Sequence, residues 1–402
     1  MDYLSLSGTL LYTAFILYLV AVIFFAATVR DKRQEKQFTF VNKFAITVTS
    51  VGFLSQLGYF ITRWIAAGHA PVSNMFEFVT FFSMMLVLAL IILYAIYKVA
   101  LLPLFTLPLV LIIIGYASVF PREITPLVPS LQSHWLWIHV TTVALGEAIL
   151  AISFVAGVIY LIRQIDQQKS TYRTKWLEIV MYSIISTIAF IVVTTTFSLT
   201  GYEAEFVYTV EATEDREETQ ASLIYHLPAI FGKSDAELVT DGRMDALLPA
   251  PDWLHGEDAA KKLNTLVWSL AVGLILYLLI RLFARKRVAA LIQPSLRRTN
   301  PELLDEICYR SIAIGFPVFT LGGLIFASIW AQEAWQRYWG WDPKEVWALI
   351  TWFFYAIFLH LRLTRGWHGE RSAWLAVIGF AIIMFNLIVV NLVFAGLHSY
   401  AQ

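Results

Sequence analysis

Apolar runs about 20 residues long recur from one end of this 402-residue chain to the other. Each is long enough to cross a hydrocarbon core of ~30 Å as a helix, and no other feature narrows the fold as far. The composition agrees: 58% of residues are hydrophobic and 14% charged, where an ordinary globular domain carries about a quarter charged. A soluble enzyme, a nucleic-acid binder and a disordered chain are excluded. The fold class is all-α, a polytopic integral membrane helical bundle. The runs predict about ten spans, near 8–29, 44–66, 76–97, 100–119, 136–162, 176–199, 264–283, 311–330, 346–364 and 373–397. The first eight residues carry one charge, Asp2, and no basic stretch, so the first run reads as a retained span rather than a leader.

Net charge is zero, so the electrostatic message lies in where the charges sit. With the amino terminus outside, the inside loops collect Arg30, Lys32, Arg33, Lys36 and Lys43, then Lys98, then Arg163 to Lys175, then Arg281 to Arg310, then Arg362, Arg365 and Arg371. These are most of the 29 basic residues. The positive-inside rule therefore puts both termini outside. One connection breaks the pattern. Residues 201–262 hold 14 acidic against 5 basic residues, densest at Glu211, Glu214, Asp215, Glu217 and Glu218. This outer segment reads first as a solvated insert, partly folded through its apolar stretches Leu223–Phe231 and Leu247–Leu254; a docking surface for a basic partner is the sharper alternative. Three parts follow: 1–165, 166–300 and 301–402.

A single cysteine, Cys308, rules out an internal disulfide, a CxxC redox centre and a c-type haem attachment motif. Any thiol chemistry here uses thiols from another molecule.

Six of the 14 tryptophans fall in residues 330–352, WAQEAWQRYWGWDPKEVWALITW. An interfacial aromatic belt accounts for Trp330 and Trp347 at the ends of spans. It does not account for Trp335, Tyr338, Trp339 and Trp341 in a polar connection beside Asp342, Pro343, Lys344 and Glu345. Aromatic walls with a few polar groups suit a flat apolar ligand. Among the eight histidines, His139 begins the fifth span and His398 closes the tenth, both at the outer face that carries the tryptophans. Singly, each is an interfacial histidine satisfied by water or a carbonyl. Together, beside a stacking platform, they suit axial ligation of a haem iron. His360 lies roughly 22 Å below the outer surface by helical rise, as a helix-packing hydrogen bond or a second iron ligand. Glu147 and Glu77 read either as acceptors for a ligand imidazole or as helix-packing groups. Arg337, Lys344 and Arg122 are the outer cations open to haem propionates.

The tryptophan text resembles the WWD signature of haem-handling proteins in cytochrome c maturation. LDEICYRSIAIGFPVFTLGGLIFASIW, YAIFLHLR, NLVFAGLHSY, WLWIHV and GHAPVSNMFEF are similar, in order, to the CcsA (ResC) family of the system II cytochrome c synthase. The resemblance covers roughly residues 60–165 and 300–400 and leaves residues 170–300 as an addition. It implies that His139 and His398 are the outer axial ligands, that Trp335, Trp339, Trp341 and Asp342 cradle the macrocycle, and that His360 belongs to an inner site. It also implies a CcsB (ResB)-like membrane partner supplying the other inner histidine, apocytochrome c as acceptor, and a thioredoxin-like thiol reductant. The implied activity is transport of haem b and its presentation for thioether formation, in a bacterial cytoplasmic or a thylakoid membrane. A haem exporter or chaperone without attachment, and an electron-transfer subunit of cytochrome b type, are the rival readings.

Overall fold

The computed structural model describes residues 2–30, 35–124, 132–210, 219–233, 235–251 and 259–390. Among them are nine helices long and apolar enough to cross a membrane. The helices in chain order are α1 (Tyr3–Arg30), α2 (Glu35–Ala67), α3 (Met75–Tyr97), α4 (Leu101–Ala117), α5 (His134–Gln164), α6 (Tyr172–Leu199), α7 (Ala259–Ala284), α8 (Val288–Ile292), α9 (Pro301–Thr320), α10 (Ala327–Trp335), α11 (Pro343–Arg365) and α12 (Glu370–Met384). The fourth expected span, 100–119, is the shorter α4, whose 17 residues rise about 25 Å. The eighth differs most from expectation. It does not stop near 330 but runs through Pro301–Trp335, with a π-helical segment Leu321–Phe326 joining α9 to α10. A second π-helical segment, Phe385–Val390, continues α12.

The described chain divides into two compact units, Met1–Leu177 with Ala289–Val390, and Glu178–Val288. Helix α5 is the centre of the first unit. It is apolar all round, as a core helix must be, and is buried almost continuously from Ala144 to Ile162. Its close neighbour is α9, and small residues set the distance. A Cβ on Gly146 would stand 2.6 Å from the backbone nitrogen of Phe319, and one on Gly315 would stand 2.9 Å from Leu150 Cγ. In lipid, where apolar surface alone does not drive helices together, such backbone approach is the main source of association.

Two buried ion pairs close the unit near its two faces. Arg63 Nε donates to Glu77 Oε1 at 2.8 Å, and Arg63 Nη2 donates to the Arg122 carbonyl at 2.9 Å. Ser73 adds its backbone N–H and its hydroxyl to Glu77 Oε2 at 3.0 and 2.7 Å, so the α2–α3 turn, residues 68–74, is fastened at both ends. At the other face Arg362 Nη1 donates to Asp305 Oδ1 at 2.8 Å, and Gly369 N donates to the same oxygen at 2.9 Å. This joins α9, α11 and the start of α12. Buried Gln56 links α1, α2 and α3: it accepts from Tyr18 Oη at 2.8 Å and donates to Thr80 O and Ser83 Oγ.

In the second unit, the acidic connection between α6 and α7 folds as β structure. Strands β1 (Ala204–Val210) and β2 (Thr219–Tyr225) are antiparallel, with Ala204 opposite Tyr225 and Val210 opposite Thr219. A short β4 (Glu237–Leu238) extends β1, while β3 (Phe231–Gly232) and β5 (Leu248–Pro249) pair in parallel. Phe206, Tyr208, Leu223 and Tyr225 form its core. Asn264 on α7 accepts from Ile230 N and donates to Pro228 O, and Trp268 Nε1 also donates to Pro228 O. The cluster at Glu211–Glu218 lies outside the described residues, between β1 and β2.

Arg63→Met strands the Glu77 carboxylate in the core, where removal of one partner of a buried pair costs about 3–5 kcal/mol. The unfolding midpoint of the purified protein should fall sharply in Arg63→Met and recover most of the loss in Arg63→Met with Glu77→Gln. Equal loss in both would show that the pair is not what fastens the turn.

Candidate functional site

Helix α5 starts at His134 because Ser133 caps it, its hydroxyl accepting from Trp135 N at 3.1 Å and donating to Glu333 at 2.8 Å. His139 therefore sits in the second turn. Its ring Nδ1 donates to the carbonyl of Gly322 at 2.9 Å. The acceptor is a carbonyl, so Nδ1 carries a proton. Gly322 belongs to the π-helical segment, and a side chain there would run into the backbone of Val143 and Thr142. Only glycine lets that carbonyl approach α5 so closely. The Gly322 carbonyl also accepts from Ala327 N in the π pattern, and such π segments are frequent at functional sites.

The His139 ring lies parallel to Trp330, with centroids 5.7 Å apart and planes 11° off. Trp330 is 1% exposed, and Trp335 meets it edge-on at 4.8 Å. Leu136, Val140, Trp135, Val72 and Phe78 pack round this pair, so the 68–78 text fastened by the Arg63–Glu77 pair walls the site. The sequence reading assigned Trp330 to an interfacial belt; the structure makes it the base of the histidine. The reading also placed Trp335 in a polar loop, whereas it ends α10, and the chain reverses at Gln336 in the left-handed region.

The loop that follows is built by its polar residues. Asp342 caps α11 in a capping box with Glu345, ahead of Pro343 at the first helical position. Glu345 Oε2 accepts from Gly340 N at 2.7 Å and from Asp342 N at 3.2 Å. Asp342 is buried in this work. Trp341 has φ of 57°, a costly conformation for a bulky residue that marks strain held by its surroundings. Its indole is 70% exposed and meets Trp339 edge-on at 6.1 Å.

The remaining expected residues are dispersed. His398 lies outside the described residues. His360 is exposed on α11, where its side chain has no hydrogen bond or ion pair to a described residue. It shares a face with exposed Phe353, Ile357 and Leu363. Glu77 is committed to Arg63 and Ser73, and the orientation of His139 is set by a backbone carbonyl rather than by Glu147 or Glu77. Arg122 and Arg337 are exposed.

The sequence profile described as Cytochrome C assembly protein matches residues 72–202 and 265–398. The chain belongs to the cytochrome c assembly family. It is 30% identical over 357 residues to the cytochrome c biogenesis protein CcsA of Gloeobacter violaceus, covering 88% of this chain and 84% of that one. It is 30% identical over 394 residues to the CcsA of Cyanophora paradoxa, covering 97% and 95%, and 31% identical over 352 residues to that of Nostoc punctiforme, covering 84% and 82%. Membership gives this integral membrane protein a role in cytochrome c maturation. The profile takes in the site and most of α6 and α7, and it leaves out residues 203–264, which hold the β structure.

Trp330→Leu opens a void under His139, and truncations of buried aromatics of this size cost about 2–4 kcal/mol. Trp341→Leu removes an exposed ring and should shift stability by less than about 0.5 kcal/mol. Thermal midpoints of the two variants check this; similar losses would deny Trp330 its place as the base.

Proposed function

We propose that the chain binds haem b at its outer rim and presents it for covalent attachment to apocytochrome c. The observation that carries this reading is His139: Nδ1 anchored on the Gly322 carbonyl and ring seated on Trp330. This is how metal-ligating imidazoles are held. His398, on the run that follows the second π-helical segment, is the second axial ligand. Trp339 and Trp341 line the porphyrin face, with Trp335 and Asp342 acting behind them. Trp335 braces Trp330, and Asp342 fixes the loop that holds the indoles outward. Arg337 stands in the same loop for the propionates, while Lys344, the other cation expected there, lies in the first turn of α11 within reach of Glu147.

In this scheme His139 and His398 hold the iron from two sides, and the indoles fix the plane. The cargo brings two vinyl groups. Each forms one S–C bond with a thiol of the acceptor's Cys-x-x-Cys-His, and the thiol hydrogen passes to the other vinyl carbon. The chain's contribution is position and orientation, which is how proteins assist chemistry carried by a cofactor-type molecule. The lone Cys308 is buried and offers no competing thiol. A thioredoxin-like reductant keeps the acceptor thiols reduced.

His360 enters the scheme as half of an inner site. A histidine exposed among apolar residues on a membrane helix is expensive unless a partner covers it. A CcsB (ResB)-like membrane protein laying a helix against Phe353, Ile357 and Leu363 would cover that face and add the second imidazole. Haem then enters at the inner pair and moves to the outer one. The basic loops put the His139 end on the outer side of a bacterial cytoplasmic or thylakoid membrane.

His139→Gly and His398→Gly should each lose most of the haem that copurifies with wild type, measured by the Soret band per protein. Imidazole in the buffer should restore it, by filling the space left by the side chain. His360→Gly should lower outer loading without rescue of the outer spectrum. Unchanged spectra in both outer variants would remove them as ligands.

A further inference from the structure

The interior of the first unit holds a second set of chemically capable residues, with no part in holding haem. Glu147 faces the core from α5, two turns along from His139. It is 7% exposed, yet its carboxylate makes no hydrogen bond to a described residue. Lys344 and Tyr355, both on α11, lie within electrostatic reach of it. Tyr355 is 0% exposed, and its hydroxyl has no hydrogen-bond partner among the described residues. Tyr355 is in turn within reach of Cys308, and Cys308 of Asp305 and Arg362.

Helix geometry puts these groups in line. Asp305, Cys308 and Ser311 follow one another three apart on α9, on one face of that helix. Cys308 and Ser311 are buried, and Ser311 Oγ also has no partner among the described residues. Helices α5 and α9 run antiparallel, with Gly146 against Phe319 and Leu150 against Gly315. Arg362 of α11 meets Asp305, while Trp352 Nε1 donates to Thr320 Oγ1 at 3.0 Å. Tyr355 is therefore level with Ser311, between Glu147 and Cys308. The order from the His139 end to the basic-loop end is Lys344, Glu147, Tyr355 with Ser311, Cys308, then Asp305 with Arg362.

Buried polar groups in native proteins find partners, and where protein does not supply them ordered water does. Ionisable groups at membrane depth are costly and mark proton or ion routes. A packing role accounts for the Asp305–Arg362 end, where every group is paired. It does not account for a carboxylate, a phenol and a serine hydroxyl facing one interior without bonds to described residues.

We propose that this line of side chains is a hydrated proton route, by which Glu147 exchanges its proton with the basic-loop side of the membrane. The step is simple in its balance. A proton enters past Asp305, passes along water between Ser311, Cys308 and the Tyr355 hydroxyl, and forms an O–H bond on a Glu147 oxygen. Release is the reverse, and no electron moves. Lys344 stands at the other end, where its ammonium form repels protons arriving from that side. The route gives the core beneath His139 a charge that can be switched.

The test uses the full-length protein in lipid nanodiscs without added haem. Infrared difference spectroscopy follows the protonated carboxyl stretch, assigned to Glu147 by its loss in Glu147→Gln, as H2O is replaced by D2O. The band should shift on exchange in wild type. Cys308→Leu, which plugs the line, and Ser311→Val, which replaces a hydroxyl with two methyl groups and fills the space, should each slow the shift by roughly tenfold or more. Lys344→Met should leave it as fast or faster. Circular dichroism confirms that each variant is folded; if one plug fails to fold, the other decides. Exchange at the wild-type rate in a folded plug variant would overturn the route, as would slowing confined to Lys344→Met. A carboxyl stretch that no buffer pH from 5 to 9 produces would overturn Glu147 as the proton's destination.

Discussion

The hydrogen bond from His139 to the Gly322 carbonyl is the constraint on which the site depends. It needs two helices closer than ordinary side chains allow, and a backbone carbonyl with an acceptor site turned toward α5 while it also takes the Ala327 N–H. Gly146, Gly315 and Gly322 meet the first need by presenting no Cβ to α5 or α9, and the π turn at Leu321–Phe326 meets the second. The result is an imidazole held in one tautomer by main chain. A backbone carbonyl cannot rotate away or change its charge, so the ring is set before any ligand arrives. Preorganisation of this kind removes the ordering cost that binding would otherwise carry.

The same economy runs through the aromatic loop. Its polar residues do internal work: Asp342 and Glu345 satisfy the first turn of α11 and the amide of Gly340. That leaves the indoles to face outward. Trp341 is held at a positive φ by the cap that follows it, so the exposed ring is placed by the loop and not by packing. Buried Trp330 and exposed Trp341 thus have opposite tasks within one stretch of sequence. One packs beneath the His139 ring, and the other is left exposed at the loop surface.

Much of the architecture was legible because the bilayer simplifies it. Runs of apolar residues must be helices of a certain length, and nine of them are. Asp342–Pro343 with Glu345 is a helix start that can be read from local chemistry, and His139 follows from its place near a span end beside the tryptophans. What the sequence hid was three-dimensional. A π turn has no residue code of its own, so the part of α10 after Trp330 reads as a loop and Trp330 as a belt residue. The exposure of His360 depends on how α11 is rotated, which apolar periodicity does not fix when lipid and core are equally greasy. The outer segment looked merely acidic, because its alternating strand pattern, with Phe206, Tyr208, Leu223 and Tyr225 inward, is short and interrupted. Glu147 was read as a possible support for a ligand imidazole, whereas the helix levels place it with Tyr355 and the inner face of α9.

The central claim is that main chain fixes the tautomer of His139 in advance of ligand. Nitrogen-15 chemical shifts of His139, in full-length protein free of haem, test it most directly. The assignment comes from loss of the signal in His139→Gln. The account predicts a protonated Nδ1 and a pyridine-like Nε2 across neutral pH. A protonated Nε2, or an average of the two tautomers, would contradict it.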